Sequence, residues 1–191
     1  MWVKKFIRLI LIIFLKPLGY IFFDPQYLRG RYFDKGFMGW RWVLRSILWQ
    51  KVLGFNRHIP WPVSPFINIS SAKNISFDVD DLSNFQMSGS YFQNFSAKIV
   101  IGRGTYIAPN VGIITANHKP DDLRAHLPGK DVSIGKNCWI GMNSIVLPGV
   151  KLGDNTVVGA GSVVTKSFPR GDCVIAGNPA SFIKTLNGNN K

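Results

Sequence analysis

The chain has 191 residues, 46% hydrophobic and 17% charged, with a formal net charge of +13. That length suits one domain plus an appendage rather than several domains. The two cysteines, Cys138 and Cys173, have no CxxC or metal-ligand spacing, which removes a cysteine metal cluster and reads as small core residues in a reducing compartment.

The charge is unevenly placed. Residues 1–60 carry eleven Lys/Arg against Asp24 and Asp34, a balance of +9, and the rest of the chain carries +4. Five of the six tryptophans also fall within residues 1–62. Basic and aromatic together point to an anionic membrane surface or to nucleic acid. The long aliphatic runs between the aromatics have no use on a nucleic acid, so no nucleic-acid partner is expected.

The first segment reads WVKKFIRLILIIFLKPLGYIFF from Trp2 to Phe23. No small-residue cleavage site follows its apolar run, as a signal peptide would need. A spanning helix needs about 20 mainly apolar residues, whereas the longest uncharged run is Leu9–Leu15, bounded by Arg8 and Lys16. At about 100° per residue, Lys4, Lys5, Arg8 and Lys16 share one arc of roughly 120°, with Phe6, Ile10, Ile13 and Phe14 opposite. The pattern predicts a helix lying in the plane of a membrane surface or shallowly re-entering it, with a spanning helix and a packed soluble helix as the alternatives.

A second apolar and basic stretch runs from Phe37 to Phe55. Trp40, Trp42, Trp49, Arg41, Arg45 and Lys51 suit a headgroup zone, and Gly54 is placed to stop a helix. The passage Pro60-Trp61-Pro62-Val63-Ser64-Pro65 is extended and marks a domain boundary. We divide the chain into a helical, membrane-associating extension at 1–62 and a second domain at 63–191.

Within that domain Ile134, Ile140, Val146, Leu152, Val158 and Val164 stand six residues apart, and Gly135, Gly141, Gly153 and Gly159 follow four of them. Ile101-Gly102, Ile107 and Ile113 carry the same step earlier. A period of six is neither helical nor simple strand alternation. It fits a chain that turns a corner every six residues and points one aliphatic inward from each flat face. Three faces make a coil of about 18 residues, with coils stacked about 4.8 Å apart. This is the hexapeptide signature of a left-handed parallel β-helix, here of about five coils between Phe66 and Ile175. The expected fold is therefore mainly β, with the helical extension in front and a short C-terminal helix behind.

Ile113 and Ile134 are 21 residues apart, so an excursion of 9 or 15 residues interrupts the repeat within 116–131. Loops leaving a repeat scaffold commonly carry the site. Asn117-His118 sits at the root of this one, and His118 has the chemistry of a general base. A zinc site needs three converging ligands. His58 precedes the repeats and no histidine follows the loop, so no metal is expected.

From Tyr91 onward the chain resembles the hexapeptide acetyltransferases of the galactoside and maltose acetyltransferase type. The likeness rests on Asn94-Phe95, Ile107-Ala108-Pro109-Asn110, Asn117-His118, Cys138-Trp139-Ile140-Gly141, Leu147-Pro148-Gly149-Val150, the run from Val158 to Lys166, and Ala176-Gly177-Asn178-Pro179-Ala180. Its N-terminal part looks like that of membrane-associated acetyltransferases of surface polysaccharide synthesis. The resemblance implies acetyl transfer from acetyl-CoA to a sugar hydroxyl. His118 matches the base and Asn94 a residue that holds the acceptor. Trp139 matches a wall of the thioester pocket, with Gly141 and Met142 as sources of an oxyanion-binding amide. Ala160, Thr165, Lys166 and Lys184 match positions along the coenzyme. The chain departs from the pattern at Ser181, where a basic residue is common and for which Arg170 is a substitute, and at Met142, where a serine is usual. The resemblance also implies a homotrimer with sites between subunits. With the basic extension, it points to the cytoplasmic face of the cell membrane. The alternatives are a sugar-amine N-acetyltransferase and a non-catalytic membrane-bound scaffold.

Overall fold

The computed structural model describes residues 2–186, with side chains described from residue 12 onward. Lys4, Lys5 and Arg8 of the expected basic arc lie outside the described side chains. The chain divides into two compact units, residues 1–65 and 66–191.

In the first unit, α1 spans Trp2–Phe22 and α2 spans Met38–Ser46. The chain continues from α2 into a wider π-helical turn at Ile47–Val52, and Gly54, at φ +92°, follows it. Leu15, Phe23, Leu28, Phe33, Trp40 and Val43 are buried. The Phe33 and Trp40 rings meet edge to face at 5.2 Å. Gln50 is buried and ties the proline-rich passage to the helix. Its Nε2 donates to the Ile59 and Trp61 carbonyls at 2.7 and 3.1 Å, and its Oε1 accepts from the Val63 N–H at 3.3 Å. Prolines supply no N–H, so this passage cannot form a ladder of its own and needs such a side chain. Burial, and then the neighbouring Arg57, pull Lys51 below the usual lysine range. Large apolar side chains remain on the surface, Phe14 at 72% and Ile21 at 74% exposure, with Ile13, Leu48, Val52 and Leu53 also exposed. Among the described residues no helix is long and apolar enough to cross a membrane.

The second unit is a parallel β-helix of five coils among the described residues. Coil one holds β1 (Asn68–Ile69) and β2 (Ile75–Ser76), with a 3-10 segment at Val79–Phe85 in place of a third strand. Coil two holds β3 (Tyr91–Gln93), β4 (Ile99–Ile101) and β5 (Tyr106–Ile107). Coil three holds β6 (Gly112–Ile114), β7 (Val132–Ile134) and β8 (Trp139–Ile140). Coil four holds β9 (Ile145–Val146), β10 (Lys151–Leu152) and β11 (Val157–Val158). Coil five holds β12 (Val163–Val164) and β13 (Cys173–Gly177). Three sheets result, β1-β3-β6-β9-β12, β2-β4-β7-β10 and β5-β8-β11-β13, called here the first, second and third faces.

Register makes the core. Ile69, Phe92, Ile113, Val146 and Val164 stack in one column, and Ile107, Ile140, Val158 and Ile175 in another. All are buried, and each contributes about 1.5–3 kcal/mol by leaving water. The corner glycines answer to the next coil rather than to φ. A Cβ on Gly135 would lie 2.5 Å from the Asp154 nitrogen one coil on. Where coil one lacks a third strand, side chains stand in for backbone. Asp81 accepts from the Gly104 N–H at 2.7 Å, and Asn84 accepts from the Ile107 N–H at 2.9 Å while donating to the Thr105 carbonyl at 2.8 Å. Cys138 and Cys173 are buried and free, and burial pushes the Cys138 thiol up.

Among the described residues the expected short C-terminal helix is not found. The described chain ends in a strand, β14 (Ala180–Thr185), antiparallel to β13. β13 closes the stack with one edge open, and open edge N–H and C=O groups need partners. Gly177, at φ +107°, lets the chain reverse so that β14 supplies them, whereas a helix would leave the edge bare.

Candidate functional site

The excursion leaves the edge where the first face turns into the second, between β6 and β7. Ile113 and Ile134 thus sit on adjacent faces, and the insertion is the 15-residue alternative. Gln93 clamps its root. Oε1 accepts from the Thr115 and Ala116 N–H groups at 3.0 and 2.9 Å, and Nε2 donates to the Ala116 carbonyl at 2.9 Å. The Lys130 N–H closes the neck on the Thr115 carbonyl at 2.8 Å. Inside, Leu127 N–H meets the Asn117 carbonyl, Lys119 N–H meets that of Ala125, and His118 and His126 form an antiparallel bridge. Asp122 tightens the tip by accepting from the Arg124 N–H at 3.1 Å. Gln93 was not among the residues expected at the site. It stands on β3, one coil earlier and 23 residues before Ala116, in no motif that would have marked it.

His118 is exposed. Its Nδ1 lies 2.7 Å from the Leu123 carbonyl oxygen. A carbonyl only accepts, so Nδ1 carries the proton and Nε2 presents a lone pair. That is the tautomer a general base requires, held by the loop's own backbone.

Asn94 does not share this surface. It is fully buried, accepting from the Ser71 N–H at 2.9 Å and donating to the Ser71 carbonyl at 2.6 Å. Both ends of its amide join coil two to coil one and the side chain is fully buried, so within one chain it serves the scaffold in place of the expected acceptor-holding role. Gly141 needs a similar correction. Its N–H donates to the Val158 carbonyl at 2.9 Å as part of the coil-to-coil ladder. The Met142 N–H meets no backbone acceptor among the described residues, and so it is the amide of that pair able to bind an oxyanion.

The other expected residues fall into groups by edge. Trp139, 57% exposed, lies on the third face between Tyr106 and Val157. Gly141, Met142 and Ala160 stand where the third face turns back to the first, and a Cβ on Gly141 would come 2.6 Å from the Ala160 nitrogen. Thr165 and Lys166 follow β12, on the same edge as the excursion but two coils on. Lys166 Nζ lies 5.8 Å from the Phe168 ring centre. Lys184 is exposed on β14 opposite Val174. Ser181 is on the same strand, and Arg170 lines a cleft of about 720 Å³ with Phe168, Asp172 and Phe182. One chain therefore carries His118 on one edge of the prism and Trp139 with Met142 on another. Among the described residues no three His, Cys, Asp or Glu side chains gather into a metal-binding group.

Comparison with known proteins agrees with this architecture. Residues 131–166 match the family described as the hexapeptide repeat of succinyl-transferase. Nodulation protein L of Rhizobium meliloti is 45% identical over 83 residues, covering 39% of this chain and 45% of that protein. A maltose O-acetyltransferase from Clostridium difficile 630 superposes with a TM-score of 0.52 at 36% identity, covering 63% of this chain and 64% of that one. A galactoside acetyltransferase in complex with coenzyme A gives 0.51 at 31% identity, covering 66% and 62%. These neighbours are left-handed β-helix acetyltransferases. The chain spans about half the length of the curated relatives it matches. It carries hexapeptide repeats folded as a β-helix and is similar over that region to galactoside and maltose O-acetyltransferases and to nodulation protein L.

Proposed function

We propose that the protein is an acetyl-CoA-dependent O-acetyltransferase acting on a sugar hydroxyl of a surface polysaccharide or its lipid-linked precursor. The observation that carries this reading is the His118 imidazole, with Nδ1–H on the Leu123 carbonyl and Nε2 open. The related proteins named galactoside and maltose O-acetyltransferase support the choice of reaction and of a sugar acceptor. A hydroxyl is a weak nucleophile at neutral pH. Nε2 takes its proton as the oxygen attacks the thioester carbonyl carbon, a contribution of about 10²–10⁴ in rate. The Met142 amide is the candidate donor to the developing oxyanion, worth on the order of 3 kcal/mol. Collapse expels the coenzyme thiolate, which takes the proton back from His118. Trp139 and Ala160 line the donor's path in this reading, and Thr165, Lys166 and Lys184 meet its nucleotide end. A cation beside a phosphate makes a charge-assisted pair.

The site is shared between copies in this reading. His118 and the Trp139–Met142 group stand on different edges of one prism, so a second copy set side by side brings one chain's base to the other's thioester wall. A closed ring of three copies satisfies every edge alike. Residues 1–62 seat the protein on the cytoplasmic face of the cell membrane. Exposed Ile13, Phe14 and Ile21, together with the exposed Lys16, support that seat. The deciding experiment compares the acetyl content of surface glycans by NMR with and without the gene. Acetyl signals that disappear on deletion and return with the intact gene support the reading, and unchanged signals sink it.

A further inference from the structure

A second imidazole lies against the first. The His126 and His118 ring centroids are 4.2 Å apart, with 36° between the planes. The same His126 ring meets Phe95, 5.0 Å between centroids and 70° between planes. Phe95 is not on the excursion. It follows Asn94, whose amide is locked to Ser71, and Asn74 donates to the Asn94 carbonyl at 2.9 Å. A line of contacts therefore runs from the rigid coils through Phe95 and His126 to His118.

His118 needs such a support. Its ring's one hydrogen bond goes to Leu123, at the tip of the loop and 70% exposed. One hydrogen bond fixes one atom and leaves the ring plane free to turn about that contact. A base must hold its lone pair in line with the acceptor, because small misplacements cost rate steeply. An aromatic face against the ring supplies the missing constraint, and offset or tilted contacts at these separations are favourable.

We propose that His126, held against Phe95, is the positioning residue that fixes the plane of the His118 imidazole and so the direction of its Nε2 lone pair. This rests on the reading of His118 as the base. His126 itself takes no proton from the acceptor, so an aromatic ring without a titratable group does the same work.

The test uses the full-length protein with His126→Ala, His126→Phe and Phe95→Ala, the last leaving both histidines in place. Turnover with acetyl-CoA is expected to fall about 10- to 100-fold in His126→Ala, with KM for acetyl-CoA unchanged. His126→Phe recovers most of it, and Phe95→Ala shifts turnover in the same direction as His126→Ala. Nitrogen-15 NMR of the imidazoles gives a readout independent of activity. His118 should show the Nδ1–H tautomer in the wild type and in His126→Phe, and a mixture in His126→Ala. Wild-type turnover together with an unchanged tautomer in His126→Ala would overturn the proposal. So would a loss in His126→Ala that His126→Phe fails to restore, since that assigns the proton chemistry to His126. A wild-type protein that transfers no acetyl group sinks the acetyltransferase reading instead, and the tautomer measurement then decides the positioning role alone.

Discussion

The two units hold themselves together in different ways. In residues 66–191 the same backbone position recurs on successive coils, so each coil offers the next the same ladder and the same inward aliphatic. Ile140 and Val158, Val146 and Val164 are register partners for that reason. In residues 1–65 nothing recurs. Order there rests on single contacts, such as Gln50 holding Ile59, Trp61 and Val63 or the Phe33–Trp40 pair, and large apolar side chains stay on the surface. A repeat leaves little room for chemistry except where it breaks, and the excursion that breaks it carries His118. The irregular unit leaves apolar and basic groups facing outward, which is what a membrane surface would require.

The largest expected effect tests the break in the repeat. His118→Ala should lower acetyl turnover about 10²–10⁴-fold with an unchanged melting temperature, because the side chain is exposed and packs no core. Near-normal turnover would remove the base from this loop. The next test addresses the irregular unit. Leu15 and Phe23 are buried within it, so removing the whole helix would disturb the fold, and exposed positions are the better target. Ile13→Asp, Phe14→Asp and Ile21→Asp together should cut binding to anionic liposomes by at least about 10³, since each seated apolar side chain is worth about 1.5–3 kcal/mol. Binding of the unaltered protein should also weaken in high salt, through screening of its basic residues. An unchanged partition in a sedimentation assay would discard the membrane seat.

Two smaller effects separate scaffold from site within the β-helix. Lys166→Ala and Lys184→Ala should each weaken coenzyme A binding by about 1.5–3 kcal/mol, and additively, because they stand on different elements. Unchanged affinity of the double variant in calorimetry would move the nucleotide end elsewhere. Asn94→Ala should cost about 1–3 kcal/mol of stability by leaving the Ser71 groups unpaired, while KM for the acceptor keeps its wild-type value. A raised acceptor KM at intact stability would return Asn94 to the acceptor's side.

Periodicity is the part of the sequence that reports packing most directly. The six-residue step put Ile134, Ile140, Val146 and Leu152 inward, and the structure buries each. The 21-residue spacing from Ile113 to Ile134 is compatible with an excursion of 9 or 15 residues, because spacing counts residues without saying which face resumes. Asn94 and Gly141 occupy motif positions that imply a part in the chemistry. Which way an amide side chain or a backbone N–H points is decided by the neighbouring coil, whose partners here are 17 residues away for Gly141 and 23 for Asn94. The C-terminal helix failed for a related reason: the open edge of β13 exists only once five coils are stacked.

What the sequence by itself determined is the β-helix, its number of coils, the loop that interrupts it and the histidine at that loop's root. These depend on short-range pattern, since each inward aliphatic and each corner glycine is set within a six-residue step. Only the tertiary structure decided the tautomer of His118, the edge-to-face contact of His126 with Phe95, the withdrawal of Asn94 into the scaffold and the strand that closes the last coil. Those depend on hydrogen bonds and ring contacts whose partners no local pattern specifies, whether five residues away, as for His118 and Leu123, or a coil away, as for Asn94 and Ser71.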